Sequence, residues 1–281
     1  MTLLLEGRPV ARAILAQARD DIAEFATQNG STPSLAVVSA GDDPSAFAYA
    51  RAIERTARSI DVRVVRVLLP DSVMPAEFDD AIEQLNRDDG IAGIIVLQPL
   101  PSQLDKTRPS EIVAPSKDID GTTLVNIGRL SAGSALLVPS TPAGGMEILK
   151  YYGIPVEGKN VVVVGRSLVV GKPLAMMLIS ENATVTICHS RTPNLGEFTS
   201  RADIVALATG KPRILTAGMI RESTVVLDFG VTMDGDTMRG DADPGVFEVA
   251  GAITPVPGGT GVVTNAILMR NFVAAMRESI C

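Results

Sequence analysis

The chain has 281 residues, of which 46% are apolar and 20% charged, the composition of a globular protein with one large domain or two ordinary ones. Its single histidine and two cysteines exclude a histidine-rich zinc site or a paired Cys-x-x-Cys site, since zinc takes three or four nitrogen or sulfur ligands. We predict no metal site. A formal net charge of −7 argues against nucleic acid as the main partner, because neutralising phosphates requires a basic face.

The cysteines and the apolar runs bear on location. Cys188 and Cys281 do not suggest a disulfide framework, which favours a reducing compartment. No apolar run approaches the length of a membrane-spanning helix, and charged residues follow the N-terminal leucines too soon for a secretory signal. We expect a soluble, cytoplasmic protein that does not bind membranes.

Strand-like and helix-like segments alternate along the first hundred residues. Short apolar or β-branched runs predict strands, and apolar residues at helical spacing predict helices. In chain order these are a strand at 35–39, a helix at 44–60, a strand at 62–69, a helix at 75–85 and a strand at 93–97. Near-continuous apolar strands that alternate with helices indicate a parallel sheet covered on both faces.

A second alternating series follows a stretch rich in proline, glycine and serine between residues 101 and 142. It comprises a helix at 144–152, strands at 161–164, 185–188, 204–207 and 225–228, and a C-terminal helix at 264–280. The fold class is therefore α/β, with two α/β domains. The C-terminal helix is compatible with packing on either of them.

A turn between two glycines is the sharpest local signal. Gly165 and Gly171 enclose a turn that follows a buried strand and opens a helix. Backbone N–H groups in such a turn and at the helix start bind phosphate. The spacing departs from Gly-x-Gly-x-x-Gly, and glycines required for steric reasons alone are the alternative interpretation.

The end of the next strand indicates which dinucleotide would bind. It reads Cys188 to Thr192 and contains no acidic residue, whereas NAD-binding folds place Asp or Glu there. We therefore predict NADP, with Ser190 and Arg166 contacting the 2′-phosphate. His189 either bonds a neighbour or contacts the cofactor, and Cys188 is interpreted as a small buried hydrophobe.

Four longer motifs stand in a distinctive order. They are Lys117-Asp118-Ile119-Asp120-Gly121, Asn126-x-Gly128-Arg129-Leu130, Gly165-Arg166-Ser167-x-x-Val170-Gly171-x-Pro173 and Thr254-Pro-Val-Pro-Gly-Gly259-x-Gly261. With them, the chain resembles the bifunctional methylenetetrahydrofolate dehydrogenase/methenyltetrahydrofolate cyclohydrolases over nearly its whole length.

The resemblance implies a fold and two reactions. Residues 1–140 plus 264–281 would form a folate-binding catalytic domain, and residues 141–263 a Rossmann-like NADP-binding domain, with a substrate cleft at their junction. The reactions are hydride transfer from methylenetetrahydrofolate to NADP and hydrolysis of the resulting methenyl cation to formyltetrahydrofolate, in one-carbon metabolism. Proteins of this family are typically homodimers.

The resemblance also implies site residues. Tyr49 would lie against the aromatic body of the folate and Asp120 would hold the pterin ring, and these two are the candidate catalytic residues. Taken alone, Asp120 also fits a turn-shaping residue and Tyr49 a core residue. The remaining candidates are Gly258 and Gly259 for the substrate, and Gly165, Arg166, Ser167, Gly171, His189, Ser190 and Val231 for the cofactor.

The chain departs from the family pattern beside Tyr49. The family continues Ala-Ser-x-x-Tyr-x-x-x-Lys, but Ala46 stands at the Ser position and Ile53 at the Lys position. Residues four apart share a helix face, so Ile53 puts a hydrocarbon where the ammonium would be. Arg51 and Arg55 point away from that face.

Further departures lie in three other motifs. Leu97 and Gln98 exchange the family's order Gln-Leu, which turns the Gln to the other strand face unless a bulge restores it. Ser140 replaces a Cys, and Val262-Val263 replaces Pro-Met. Since the hydrolysis needs an acid/base and the hydride transfer does not, we predict that the dehydrogenase survives and the cyclohydrolase is weak or lost.

Three hypotheses follow. The chain is a folate-dependent NADP dehydrogenase, an NADP enzyme on the same scaffold with a different substrate, or a catalytically silent protein that binds folate or nucleotide. Reduction of NADP by methylenetetrahydrofolate separates the first hypothesis from the other two.

Overall fold

A computed structural model describes residues 2–235 and 237–279 of the chain. It divides into two compact units. We call Met1–Arg12 with Thr141–Thr264 the six-stranded unit, and Ala13–Ser140 with Asn265–Cys281 the three-stranded unit. The predicted α/β class is confirmed, and each unit has its own parallel sheet.

Strands and helices alternate along most of the chain. The strands are β1 (Leu3–Leu4), β2 (Ser34–Ala40), β3 (Val64–Leu69), β4 (Ile91–Val96), β5 (Asn160–Val164), β6 (Thr184–Cys188), β7 (Ile204–Leu207), β8 (Val225–Asp228), β9 (Thr232–Asp234), β10 (Thr237–Arg239) and β11 (Ala252–Ile253). The α-helices are α1 (Gly7–Asn29), α2 (Pro44–Arg58), α3 (Pro75–Arg87), α4 (Pro109–Ile112), α5 (Leu124–Ser131), α6 (Ser140–Tyr151), α7 (Gly171–Ser180), α8 (Leu195–Thr199), α9 (Val246–Val249) and α10 (Thr260–Glu278). Among the described residues, no helix combines the length and the apolar character that crossing a bilayer requires.

The three-stranded unit has a parallel sheet in the order β3-β2-β4. Successive side chains of a strand point to opposite faces, and β2 is buried throughout. Leu35 and Val37 join a cluster that contains Ile53 of α2 and Phe272 of α10. The alternate residues of β2, such as Val38, pack in a second cluster with α3. The sheet is thus covered on both faces, as its apolar strands predict.

The six-stranded unit has the strand order β1-β11-β8-β7-β5-β6, and all its pairs are parallel. After β5 the chain moves first to the outer neighbour β6 and then to β7 on the other side. Such a reversal leaves a crevice at the carboxyl ends of the strands, where dinucleotides bind in doubly wound folds. The glycine turn follows β5 and therefore lies at this crevice.

The structure differs from the sequence-based expectation at the N-terminus. β1 pairs with β11, so residues 1–12 group with residues 141–264 rather than with 13–140. Helix α1 was not predicted. The C-terminal helix begins at Thr260, four residues before the predicted start, and the predicted end at Ile280 lies outside the described residues, as does Cys281.

Candidate active site

The glycine turn after β5 is held by close backbone contacts. Gly165 has φ +132° and donates its N–H to the Cys188 carbonyl at 2.8 Å. A Cβ at Gly165 would lie 2.3 Å from the Ala208 carbonyl oxygen, and a Cβ at Gly171 would lie 2.3 Å from the Gly165 oxygen. Both positions therefore require glycine on steric grounds. The same contacts bring the start of α7 to the end of β5.

Ser167 orders the turn between the two glycines. Its Oγ accepts hydrogen bonds from the N–H groups of Val170 (3.1 Å) and Gly171 (3.3 Å). The Arg166 side chain is exposed beside it. The turn is thus fixed by its own residues while its cation stays accessible.

A cavity of about 470 Å³ lies beside this turn within the six-stranded unit. It brings together four of the predicted cofactor residues, Gly165, Arg166, His189 and Ser190. The other lining residues are Val164, Thr192, Leu195, Ala208, Thr209, Lys211, Ile214 and Met219. Ser167, Gly171 and Val231 are not among them, and Val231 is 57% exposed after β8.

His189 bonds its neighbours at the end of β6 and also borders the cavity. Its Nδ1 accepts a hydrogen bond from the Arg191 N–H at 3.1 Å, and its backbone N–H donates to Thr192 Oγ1 at 2.9 Å. His189 also lines the cavity. The hydrogen bond to Nδ1 fixes the orientation of its ring. Cys188 is fully buried, as predicted.

Asp120 and Ser140 form a polar pair in the three-stranded unit. Ser140 Oγ donates to Asp120 Oδ1 at 2.5 Å. Burial raises the pKa of Asp120 to about 7, with a smaller contribution from the charge of Asp118, and the Ser140 hydrogen bond opposes this rise. The pKa of Tyr49 is raised by burial and, secondarily, by the charge of Asp120. The phenol of Tyr49 and the carboxyl group of Asp120 therefore interact electrostatically.

The two aspartates of the Lys-Asp-Ile-Asp-Gly motif have different surroundings. Asp118 is buried, and its Oδ2 accepts from the Thr123 N–H (2.8 Å) and from Asn126 Nδ2 (2.9 Å), so it shapes the start of α5. At Gly121, φ is +68° and a Cβ would lie 2.3 Å from the Val138 carbonyl carbon. The segment that carries Asp120 is therefore pressed against the segment that leads to Ser140.

Asn271 of α10 joins the same two segments and was not identified from the sequence. Its Nδ2 donates to the carbonyl oxygens of Ile119 and Val138, each at 2.8 Å, and the residue is buried. These acceptors lie 152 and 133 residues away along the chain. An asparagine next to the apolar residues Phe272 and Val273 of α10 is the signal that sequence analysis had available.

An apolar cluster adjoins Tyr49. Ile53 is 0% exposed and Leu97 is 2% exposed, and both belong to the cluster against which Tyr49 packs. Arg51 and Arg55 are exposed, so they do not replace an ammonium on that helix face. Gln98 is exposed as well, and its Nε2 donates to the Lys106 carbonyl at 3.2 Å.

The Pro-Val-Pro-Gly-Gly segment belongs to the six-stranded unit. Gly258 has φ +108°, a Cβ there would lie 3.9 Å from Pro255 Cγ without a clash, and its carbonyl accepts the Gly7 N–H at 2.8 Å. A Cβ at Gly259 would lie 2.6 Å from the Pro255 oxygen. Backbone conformation therefore requires glycine at the first position, and close packing within the segment requires it at the second.

Known proteins match this chain over nearly its whole length. Residues 5–120 match the catalytic domain, and residues 139–280 the NAD(P)-binding domain, of tetrahydrofolate dehydrogenase/cyclohydrolase. The chain is 45% identical to the bifunctional protein FolD of Chloroflexus aurantiacus, covering 98% of this chain and 97% of that protein. It is also 45% identical to FolD of Roseiflexus castenholzii, with coverage of 98% and 96%.

Two solved structures show the same fold. One is the bifunctional FolD of Campylobacter jejuni, with a TM-score of 0.95, 33% identity and 99% coverage of both chains. The other is the Trypanosoma brucei methylenetetrahydrofolate dehydrogenase-cyclohydrolase complexed with NADP and an inhibitor, with a TM-score of 0.93, 31% identity and coverage of 99% and 98%. The chain therefore belongs to the tetrahydrofolate dehydrogenase/cyclohydrolase family of enzymes.

Proposed function

We propose that this enzyme oxidises methylenetetrahydrofolate to methenyltetrahydrofolate with NADP, and that its hydrolysis of the methenyl product is weak or absent. The observation that carries the second part is the burial of Ile53 and Leu97 in one apolar cluster against Tyr49. No ammonium or amide stands at those two positions. The relatives named above are bifunctional, so this chain would retain one of their two activities.

The cavity beside the glycine turn supports NADP. Arg166 and Ser190 offer a cation and a hydroxyl near the strand end where NAD-binding folds place an acid. In this proposal Gly165 and Gly171 admit the diphosphate to the backbone, Ser167 holds the turn, and His189 and Val231 border the cofactor. When bound, NADP supplies the hydride acceptor.

Tyr49 and Asp120 are the proposed folate-binding residues. Because the pKa of Tyr49 is raised, the phenol keeps its proton. Its side chain therefore offers both an apolar ring and a hydroxyl donor to the folate. The carboxylate of Asp120 accepts N–H groups of the pterin when ionised. Gly258 and Gly259 would allow the substrate to approach the backbone.

The two reactions make different demands on these side chains. Hydride transfer breaks one C–H bond and requires no protein group to accept a proton, so orientation is the main contribution of the enzyme. In hydrolysis, water adds to the methenyl carbon, and protons must leave the water and reach the nitrogen that departs. A positioned acid/base contributes about 10²–10⁴-fold to such a step, and a hydrocarbon at position 53 cannot supply it.

We also propose that the protein is a homodimer, as the family resemblance implies. Light scattering of the purified protein measures its mass directly. A mass of one chain at micromolar concentration would contradict it.

Both partial activities of the purified enzyme test the proposed function. We expect NADP reduction with methylenetetrahydrofolate and, with methenyltetrahydrofolate, little hydrolysis above the uncatalysed rate. Hydrolysis at a rate comparable with hydride transfer would overturn the proposed loss of the second activity. Absence of NADP reduction would favour an enzyme with another substrate, or a silent binding protein.

Variants at the two apolar positions sharpen the test. Ile53→Lys combined with Leu97→Gln restores the ammonium and an amide partner, and we expect hydrolysis to appear while hydride transfer changes little. Ile53→Met is the matched control, since it alters the same buried position without adding a proton carrier. Hydrolysis that also appears in this control would contradict the assigned role of the lysine position.

A further inference from the structure

The cavity beside the glycine turn is lined by a lysine in addition to the predicted cofactor residues. Lys211 lines the same cavity as Arg166, His189 and Ser190. Among the described residues that line it, none is acidic, although the chain as a whole carries a net charge of −7. Basic side chains are thus concentrated where an anion would be bound, against the overall charge of the protein.

The loop that carries Lys211 is fixed by a buried carboxylate. Asp241 is 0% exposed, and its Oδ2 accepts hydrogen bonds from the N–H and Oγ1 of Thr209, both at 2.7 Å, and from the Gly210 N–H at 3.1 Å. Thr209 Oγ1 in turn accepts the Lys211 N–H at 3.1 Å. Asp241 therefore determines the path of the backbone up to Lys211.

Arg213 lies in the same loop as Lys211 but in different surroundings. The exposed side chain of Arg213 approaches Asp243 at 4.0 Å and does not line the cavity. The loop after β7 thus carries one cation that lines the cavity and one beside a surface acid. Removing the positive charge of Lys211 can therefore be compared with removing the equal charge of Arg213.

We propose that Lys211 binds the 2′-phosphate of NADP together with Arg166 and Ser190, and that Asp241 is the positioning residue for its loop. This rests on the proposed function. A phosphate monoester carries close to two negative charges at neutral pH and three acceptor oxygens, so one guanidinium leaves charge and acceptors for a second cation. Lys211 then contributes to the selectivity for NADP over NAD.

Two ligand pairs that differ only in the 2′-phosphate test the proposal without folate. Calorimetry would give dissociation constants for adenosine 2′,5′-bisphosphate and 5′-AMP, and for NADP and NAD, with the wild type and Lys211→Gln. We expect Lys211→Gln to weaken binding of the two 2′-phosphorylated ligands by about 10-fold or more, and to change 5′-AMP and NAD less than about twofold. Arg213→Gln should leave all four constants unchanged, and Lys211→Arg should restore most of the loss.

Other patterns of dissociation constants would contradict the proposal in distinguishable ways. Equal weakening of both members of a pair would overturn the proposal and place Lys211 on a phosphate common to NAD and NADP. No weakening would overturn it as well. If the wild type itself shows no preference for the 2′-phosphorylated ligands, the proposed cofactor is wrong. A wild-type preference that is undiminished in Lys211→Gln refutes the role of Lys211 alone.

Asp241→Asn tests the positioning role. We expect it to lower the ratio of the NAD to the NADP dissociation constant, and to have no further effect on that ratio in the Lys211→Gln background. A purely structural role would weaken both dinucleotides equally and leave the ratio unchanged, which would overturn this part of the proposal.

Discussion

The Ser140 hydroxyl donates a 2.5 Å hydrogen bond to Oδ1 of Asp120. The resemblance places a cysteine at the Ser140 position in the family, and a hydroxyl is a stronger donor than a thiol. A hydrogen bond to a carboxylate stabilises its ionised form, so Ser140 offsets part of the effect of burial on Asp120. The ionisation of Asp120, the proposed pterin-binding residue, thus depends on Ser140.

Ser140→Ala should shift the pH dependence of the dehydrogenase. Without the hydroxyl, the pKa of Asp120 rises above about 7, by about one to two units if the bond has the strength usual for a charged acceptor. We expect the ascending limb of kcat/KM to move to higher pH by that amount. Ser134→Ala, at an exposed serine whose hydroxyl donates to the Arg129 carbonyl, is the control. An unchanged profile in Ser140→Ala would contradict the proposed role of ionised Asp120.

Asp120→Asn should stabilise the protein at high pH. The pKa of Asp120 is about 7 in the folded state, against an ordinary value of 3.8, so the folded state binds its proton more tightly than the unfolded chain does. The penalty for the charged carboxylate is therefore absent below pH 3.8 and fully developed above pH 7. We expect the Tm of the variant to exceed that of the wild type at pH 8, and the difference to shrink towards pH 4.

Asp105→Asn is a control of opposite sign. Hydrogen bonds from the Thr107 N–H and hydroxyl lower the pKa of Asp105. Its carboxylate therefore stabilises the folded state above the unfolded pKa, and its variant should lose Tm at pH 8 relative to low pH. If Tm relative to the wild type changed with pH in the same way in both variants, the raised pKa of Asp120 would be refuted.

Asn271→Ala should destabilise the three-stranded unit and weaken folate binding. The variant leaves the carbonyls of Ile119 and Val138 without their donor, and a buried group left unsatisfied costs about 1–3 kcal/mol. Urea unfolding measures this loss. Asn29→Ala, at the exposed end of α1, should cost far less. Equal losses in the two variants would contradict the role assigned to Asn271.

Lys117→Met should loosen the end of α3. The Lys117 ammonium donates to the carbonyls of Leu85 (3.1 Å), Asn86 (2.8 Å) and Asp88 (2.8 Å), which the end of a helix leaves without intrahelical partners. We expect a loss of about 1–3 kcal/mol in the free energy of unfolding and faster hydrogen exchange around residue 88. The exposed Lys106 provides a control through Lys106→Met, and exchange that is equally fast in both variants would count against the assignment.

Elements that are buried as whole strands were predictable from local sequence. The strands at 204–207 and 225–228 lie where the apolar runs predict them, because burial of every residue but the partly exposed Val225 leaves a nearly continuous apolar pattern. Helix α1 was not predicted although its sequence carries the signal, since its buried residues Val10, Ala18, Ile22 and Phe25 recur at helical spacing.

Some residues of the candidate site were likewise predictable from local sequence, and others were not. Gly165 and Gly171 are visible in the sequence, because a turn between a strand and a helix imposes glycine within a few residues. The contacts of Asn271 and the placement of Lys211 arise between segments far apart in the chain. Periodicity and spacing carry no information on such contacts, and only the assembled fold reveals them.

The pairing of β1 with β11 has a consequence for synthesis. Leu3 and Leu4 are synthesised long before their strand partners Ala252 and Ile253. This edge strand of the larger sheet therefore stays unpaired until those residues have been made, and its closing contact is one of the most non-local in the molecule. Folding of this unit is expected to finish only after residues 252–253 have left the ribosome, whereas residues 13–140 are available to form their sheet much earlier.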